Sequence, residues 1–320
     1  MNGLPLVTIG IPNYNYGHFI SEALNSVVKQ TYPNIELIIV EDVSSDNSIE
    51  IIENWIRSYT GKIQINFIKN KKNLGLTKVC NIILDNARGK YFQPLDADDI
   101  LLPEKIERQV AILENSPNTA MVYSNVMVIN DSGKVINPDY CSRINYDSTN
   151  MPSGWIFNDL LAFNFISLPS VLVNTKYARE MRGFDETLLV QDYYMWLRLS
   201  EKYQVSYISA TLGQYRVHDV SMSNLPASNY RFAESVITLK YRYYKTSNSE
   251  LKKVIAKNIQ NSSVYLYEHN HPNTKKWLSI AFRLNPGFKT ATYFLSIRLG
   301  IPFAFFKMLK SNFLRNNDNR

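Results

Sequence analysis

The chain has 320 residues, 45% of them apolar, with a formal net charge of +7. It can bury a substantial core and is too apolar for a disordered chain. Cys80 and Cys141 are its only cysteines and form no CxxC pair, which argues against an extracellular disulfide framework and fits a reducing cytosol.

The N-terminus runs straight into apolar residues 6–11 without a charged region or a long apolar stretch, so no secretory signal is expected. Short β-rich runs then alternate with helical periodicity. Strands are predicted at 6–11, 35–40, 63–68, 90–95 and 120–129, joined by helices with apolar stripes at Phe19, Ile20, Ala23, Leu24 and Val27 and at Ile49, Ile52, Trp55, Ile56 and Tyr59. Asp46 or Ser48 can cap the second helix, and Gly89 stands where a third, starting near Leu76, should stop. This alternation predicts a mostly parallel sheet flanked by helices, of Rossmann-like α/β type. Ligands of such sheets bind beyond the carboxyl ends of the strands, where Asp42 and 96–99 fall.

Asp96, Ala97, Asp98 and Asp99 follow the apolar run 91–95. Carboxylates this crowded at the end of a buried strand repel one another unless a cation sits between them. Mn²⁺ or Mg²⁺ held by one or two carboxylates keeps positions for water and diphosphate oxygens. A solvated acidic loop ahead of a helix opened by Pro103 fits these residues equally well when taken alone. An EF-hand does not fit, because Leu101 occupies the position that needs glycine.

Beyond residue 140 the pattern loosens, with prolines punctuating short strands at 166–173 and 212–217. From residue 226 the chain turns helical, at 230–244, 251–268, 275–284 and 288–314. Residues 288–320 carry six basic side chains against one acidic, interleaved with aromatic residues. Arg298 and Pro302 interrupt this stretch, leaving no run of about 18 apolar residues to span a bilayer. It reads as a helical contact with an anionic membrane surface, or as a surface packed on its own domain or a second subunit. The expected division is 1–225, with halves 1–130 and 131–225, and a helical region 226–320. No nucleic-acid motif accompanies the basic charge, and no GxGxxG follows a predicted strand.

Six ordered segments, 7–15, 26–32, 40–46, 95–99, 182–186 and 191–196, closely resemble the family 2 glycosyltransferases over residues 5–222. They read VTIGIPNYN, SVVKQTY, VEDVSSD, LDADD, RGFDE and QDYYMW. The resemblance implies the GT-A fold, a nucleotide-sugar donor, a divalent metal and inversion at the anomeric carbon. It places Pro12, Asn13 and Tyr14 at the base and ribose, and Asp42 at a uracil ring nitrogen. Asp96 matches the carboxylate facing the ribose or the metal's outer shell, with Ala97 beside it in the nucleotide-sugar site, Asp98 the direct metal ligand, and Asp99 a second ligand candidate. Asp192 matches the catalytic base. His218 matches a late-loop histidine at metal or diphosphate, with Arg216 an alternative phosphate partner. Asp185 and Glu186 match the acceptor cleft.

Three departures accompany the resemblance. Glu41 and Val43 replace the usual residues of the Asp-Asp-Gly-Ser turn, and a β-branched Val43 implies a turn geometry unlike one built on glycine. Gln191 replaces the glutamate before the base, removing one reason for a raised pKa at Asp192. The implied activity is transfer of a sugar from a nucleotide sugar, a UDP-sugar by preference, to a hydroxyl of a glycan or lipid-linked acceptor in bacterial surface polysaccharide synthesis. The implied location is the inner face of the cell membrane. A binding or scaffold protein that has lost catalysis is the alternative, with a nucleotidyltransferase behind it because 12–15 lack the Gly-rich basic loop of that class.

Overall fold

The structure, a computed structural model, describes residues 3–219, 226–303, 305 and 306. The chain forms two compact units: residues 1–187 with 191–218, and residues 188–190 with 219–320.

In the first unit, β1 (Val7–Asn13) and β2 (Ile35–Glu41) are buried along their whole length, as continuous apolar runs covered on both faces require. They pair in parallel from Val7↔Ile35 to Asn13↔Glu41. β3 (Gln64–Lys69) continues the parallel sheet beyond β2, and β4 (Tyr91–Pro94) lies on the other side of β1. The crossovers are α1 (Ile20–Val28), α2 (Ser48–Ser58) and α3 (Leu76–Asn86). Asp46 accepts the Ser48 amide at 3.0 Å where α2 begins.

Close approach explains two glycines. A Cβ on Gly10 would lie 2.2 Å from Ile83 Cγ2, so the bare backbone lets α3 pack on β1. Gly89 does not end α3, which stops at Asn86; it lies against β1, where a Cβ would stand 2.5 Å from the Thr8 amide.

The sheet then changes character. β5 (Ile100–Leu101), α4 (Lys105–Glu114), β6 (Thr119–Ile129) and β7 (Val135–Asn137) precede two short helices, α5 (Tyr140–Arg143) and α6 (Phe157–Ala162). β8 (Leu172–Asn174), α7 (Thr175–Glu180), α8 (Gln191–Lys202) and β9 (Gln204–Arg216) complete the unit. The strand order is β3-β2-β1-β4-β8-β6-β9-β5, with β7 on β6. β8 joins β4 and β6 antiparallel, whereas β9 runs parallel to β6. The expected strand at 166–173 is a 3-10 turn over Leu168–Ser170 followed by β8, since Pro169 has no amide to give a ladder. The expected strand at 212–217 is the end of the much longer β9. Register shifts at Thr119/Met121 and around Asn125 interrupt its pairing with β6, so apolar residues along it do not alternate with period two.

The second unit is helical: α9 (Pro226–Tyr244), α10 (Ser249–Glu268), α11 (Thr274–Leu284) and α12 (Phe288–Arg298). Ile255, Ile259, Leu266, Trp277, Leu278 and Ala281 are buried there. The helix expected over 288–314 ends at Arg298, where Gly300 takes φ +72° ahead of Pro302, a common helix stop. Residues 303, 305 and 306 are helical again, while 304 and 307–314 of that expected helix lie outside the described residues, as does the rest of the tail to residue 320. No helix among the described residues is long and apolar enough to cross a membrane.

Candidate active site

Parallel strands end together, so the turns after β1, β2 and β4 gather along one edge of the sheet. The Asn13↔Glu41 pairing brings the two turns together, and the Asp42 amide donates to the Asn13 carbonyl at 2.9 Å. Pro12 and Asn13 are buried, and Tyr14 is exposed. Asn13 Nδ2 donates to Glu41 Oε2 at 2.5 Å, while its Oδ1 is buried with no hydrogen-bond partner among the described residues. Glu41 Oε1 accepts the Ser44 amide at 2.6 Å. The unusual Glu41 is thus a buried brace between the two turns.

Val43 corrects an expectation. It does not reshape the turn to avoid left-handed backbone but adopts φ +66°. The turn is fixed by other bonds: Ser44 Oγ accepts the Asn15 amide at 2.8 Å, and Asn15 Oδ1 accepts the Ser45 amide at 2.7 Å. With its neighbours tied down, Val43 has no extended alternative.

Asp42 is buried and already engaged. Its carboxylate accepts Asn70 Nδ2 at 2.7 Å, the Leu74 amide at 2.9 Å and the Gly75 amide at 2.8 Å. Asn73 Nδ2 donates to its carbonyl at 3.0 Å. The carboxylate therefore pins the 70–75 loop at the start of α3, with Lys71 and Lys72 exposed on it.

Beyond β4, Ala97 is buried in the core and the aspartates around it converge. One oxygen each from Asp96, Asp98 and Asp99 lie within 4.8 Å of one another. Burial, followed by the charges of Asp98 and Asp192, holds the Asp96 carboxyl well above the usual carboxylate range. Asp99 is raised by burial and then by Asp98 and Asp96, partly offset by its bond from the Arg216 amide. Asp99 Oδ1 accepts that amide at 2.8 Å, but Oδ2 is buried with no hydrogen-bond partner among the described residues.

β9 delivers Arg216 and His218. His218 Nε2 is 2.9 Å from Asp98 Oδ2, its ring packed against Phe19 and Tyr16. Arg216 does not present itself to a phosphate. It is buried, donating to the carbonyls of Asp98 at 2.8 Å, Asn130 at 3.0 Å and Asp131 at 2.9 Å and to Glu22 at 2.7 Å. Its guanidinium also lies 4.9 Å over the Phe19 ring. Arg216 is the internal cation that holds the acidic turn.

Asp192 stands in the first turn of α8. Burial raises its pKa, opposed by the Tyr193 amide and its own; desolvation thus supplies what the missing glutamate would have contributed. The charge of Asp192 acts on Asp96, and both act on the Cys80 thiol, which burial first pushes up. The structure thus brings Asp192 into electrostatic reach of the aspartate cluster. Asp185 Oδ1 accepts the Thr187 amide at 2.8 Å, and exposed Glu186 stands 3.8 Å from Lys78 on α3.

Sequence reading missed three neighbours. Burial and then Asp98, Asp96 and Asp99 push the Tyr16 phenol upward. Burial followed by Asp192 takes Tyr140 up to about 12. Cys80 on α3 is the third. Tyr16 lies two residues from Tyr14 and could have been flagged by position; Cys80 and Tyr140 carry no local signal.

The three aspartates suit a hard divalent cation. They supply converging oxygen donors, and the buried Asp99 Oδ2 has no hydrogen-bond partner among the described residues.

The sequence model described as Glycosyl transferase family 2 matches residues 8–168. An uncharacterized glycosyltransferase of Rickettsia felis is 34% identical over 219 residues, which are 67% of this chain and 34% of that protein. One from Methanocaldococcus jannaschii is 30% identical over 216 residues, 67% of this chain and 71% of that protein. The chain thus spans about a third of the length of the Rickettsia relative. The fold matches S. aureus TarS in complex with UDP-GlcNAc, with TM-score 0.58, 15% identity and 92% of each chain covered. It also matches the mannosyltransferase PcManGT of Pyrobaculum calidifontis in complex with GDP-Man and Mn²⁺, with TM-score 0.59, 14% identity and coverage of 97% and 83%. With a GT-A fold and a family match spanning three of its strand-end turns, the chain belongs to glycosyl transferase family 2.

Proposed function

We propose that this protein is an inverting glycosyltransferase that moves a sugar from a UDP-sugar to a hydroxyl of a glycan or lipid-linked acceptor in bacterial surface polysaccharide synthesis. The observation that supports the reading is that the charge of Asp192 reaches Asp96, a member of the convergent Asp96, Asp98 and Asp99 group. Donor-side and acceptor-side chemistry need that proximity.

In this reading Asp192 takes the proton of the acceptor hydroxyl as its oxygen attacks the anomeric carbon and the nucleoside diphosphate departs. Desolvation strengthens Asp192 as a base, and one displacement inverts the configuration. Asp98 and Asp99 would hold a divalent ion, with His218 bracing Asp98 and Asp96 beside them on the donor side. Mn²⁺ or Mg²⁺ bound there would offset the negative charge of the leaving diphosphate. Pro12, Asn13, Tyr14 and the loop pinned by Asp42 form the base end of the donor site, with Ala97 shaping the donor floor. Asp185 and Glu186 border the acceptor side.

Within the helical region 226–320, the stretch 288–315 is assigned to contact with the inner membrane surface. α12 buries Thr290, Tyr293 and Ser296 and exposes Phe288 and Leu295, with Leu299 exposed just past its end, an arrangement suited to the interface of an anionic bilayer. Co-sedimentation with anionic vesicles tests this, and equal recovery with neutral vesicles would refute the electrostatic part.

The test of function is a thermal-shift screen of nucleotide sugars with Mn²⁺, followed by anomeric analysis of the transferred sugar. A stabilising UDP-sugar and an inverted product are expected. Absence of any nucleotide-dependent shift would overturn the reading.

A further inference from the structure

Consecutive residues of α3 serve two different neighbours. Cys80 lies within the fields of both Asp96 and Asp192, and Asn81 reaches the turn that follows α7. Asn81 Oδ1 accepts the Phe184 amide at 2.7 Å, and Asn81 Nδ2 donates to the Phe184 carbonyl at 3.0 Å. Phe184 is buried, so a single side chain satisfies both ends of its backbone as a paired strand would.

The turn is shaped to that clasp. Arg182 and Gly183 take φ +61° and +68°, and a Cβ on Gly183 would lie 2.5 Å from Asn81 Oδ1. Glycine is required there for close approach as well as for conformation. The same turn is gripped from α8, where Arg198 donates to the carbonyls of Met181 and Gly183 and lies 4.4 Å over the Tyr194 ring. α8 is the helix whose first turn carries Asp192. α3 is itself anchored at both ends. The Leu74 and Gly75 amides ahead of it bind Asp42, and Arg179 on α7 donates to the Leu84 carbonyl at 2.9 Å. Asn81 therefore joins a fixed helix to the turn from which α8 is held.

Resting on the function proposed above, we infer that Asn81 is a positioning residue for the transfer step: through the Phe184 peptide and Arg198 it fixes α8 against α3 and thereby sets Asp192 relative to the Asp96, Asp98 and Asp99 group. Asn81 acts here without touching a substrate. Its loss should appear in turnover and not in donor binding.

The test compares wild type, Asn81→Ala, Asn81→Asp, Arg198→Lys and the Asn81→Asp, Arg198→Lys double variant. Turnover is read as UDP release from UDP-glucose, UDP-galactose and UDP-GlcNAc in Mn²⁺ with water as the attacking hydroxyl, and UDP affinity by calorimetry. Asn81→Asp keeps an acceptor for the Phe184 amide but sets a carboxylate oxygen against the Phe184 carbonyl. Each single variant should lower kcat by about 10- to 100-fold, the scale of a small misplacement of reacting groups, with KM and UDP affinity within about twofold of wild type. The double variant should be no slower than the slower single one, because both changes act through one turn. Wild-type kcat in folded Asn81→Asp, even with a lowered melting temperature, would overturn the inference and leave the functional reading intact. A raised KM with kcat retained, or losses that multiply in the double variant, would overturn it as well. Should Asn81→Ala fail to fold, Asn81→Asp and Arg198→Lys decide. Absence of UDP release by wild type from every donor would bring down the functional reading first and this inference with it.

Discussion

Two buried charge clusters flank β4 and are resolved in opposite ways. Lys105 is fully buried, and its ammonium donates to Gln93 Oε1, to Gln109 Oε1 at 2.6 Å and to the Val171 carbonyl at 2.8 Å. Three neutral acceptors satisfy its three donors, and burial lowers its pKa. The aspartates beyond β4 gather negative charge, which together with burial raises the pKa values of Asp96 and Asp99, and leave Asp99 Oδ2 without a hydrogen bond among the described residues. A closed cluster fastens α4 to the sheet. One left short of donors stores a need that a ligand can meet.

Breaking the acidic side at Asp192, the base of the proposed reaction, should have the largest effect. Asp192→Asn should lower the transfer rate by roughly 10²–10⁴-fold, the usual share of a general base, with donor affinity nearly unchanged; full turnover would remove Asp192 from the role. Arg216→Met removes the cation that holds the acidic turn and leaves three carbonyls without donors. A loss of about 3–5 kcal/mol in urea unfolding is expected.

Adding a cation should sharpen the contrast. Mn²⁺ at about a hundred times its Kd should stabilise the protein by about 2.7 kcal/mol, and an Asp98→Asn, Asp99→Asn double variant should show no such gain. An unchanged gain in that variant would place the ion elsewhere.

The closed cluster gives the smallest effect. Lys105→Met should cost about 2 kcal/mol, because three buried acceptors lose their donor. Its pH dependence has a definite sign. The unfolded lysine keeps its proton to about pH 10.4 while the folded one releases it earlier, so Lys105 makes stability rise with pH between those two values. Unfolding free energies across that range should show a positive contribution in wild type that Lys105→Met lacks.

The first half of the fold was legible because its strands are buried on both faces and read as continuous apolar runs, with 35–41 the clearest case. Beyond residue 130 the strands are short or bulged, and their pairing depends on distant partners, as β9 depends on β6. The convergence of the acidic motif was also readable, since its members are adjacent in sequence. Arg216 was misread for the opposite reason: whether an arginine meets a phosphate or a carbonyl is settled by burial, and its acceptors at Glu22, Asp98 and Asn130 come from three separate segments.

By itself, the order of apolar runs and turns determined a parallel α/β sheet with acidic residues at its strand ends, because periodicity and strand-end placement are local properties. Tertiary structure alone decided that Asp42 is tied to the 70–75 loop, that Val43 is forced into left-handed backbone, and that desolvation lifts Asp192 without a neighbouring glutamate. Each of these depends on hydrogen-bond partners and solvent exclusion supplied by residues remote in the chain.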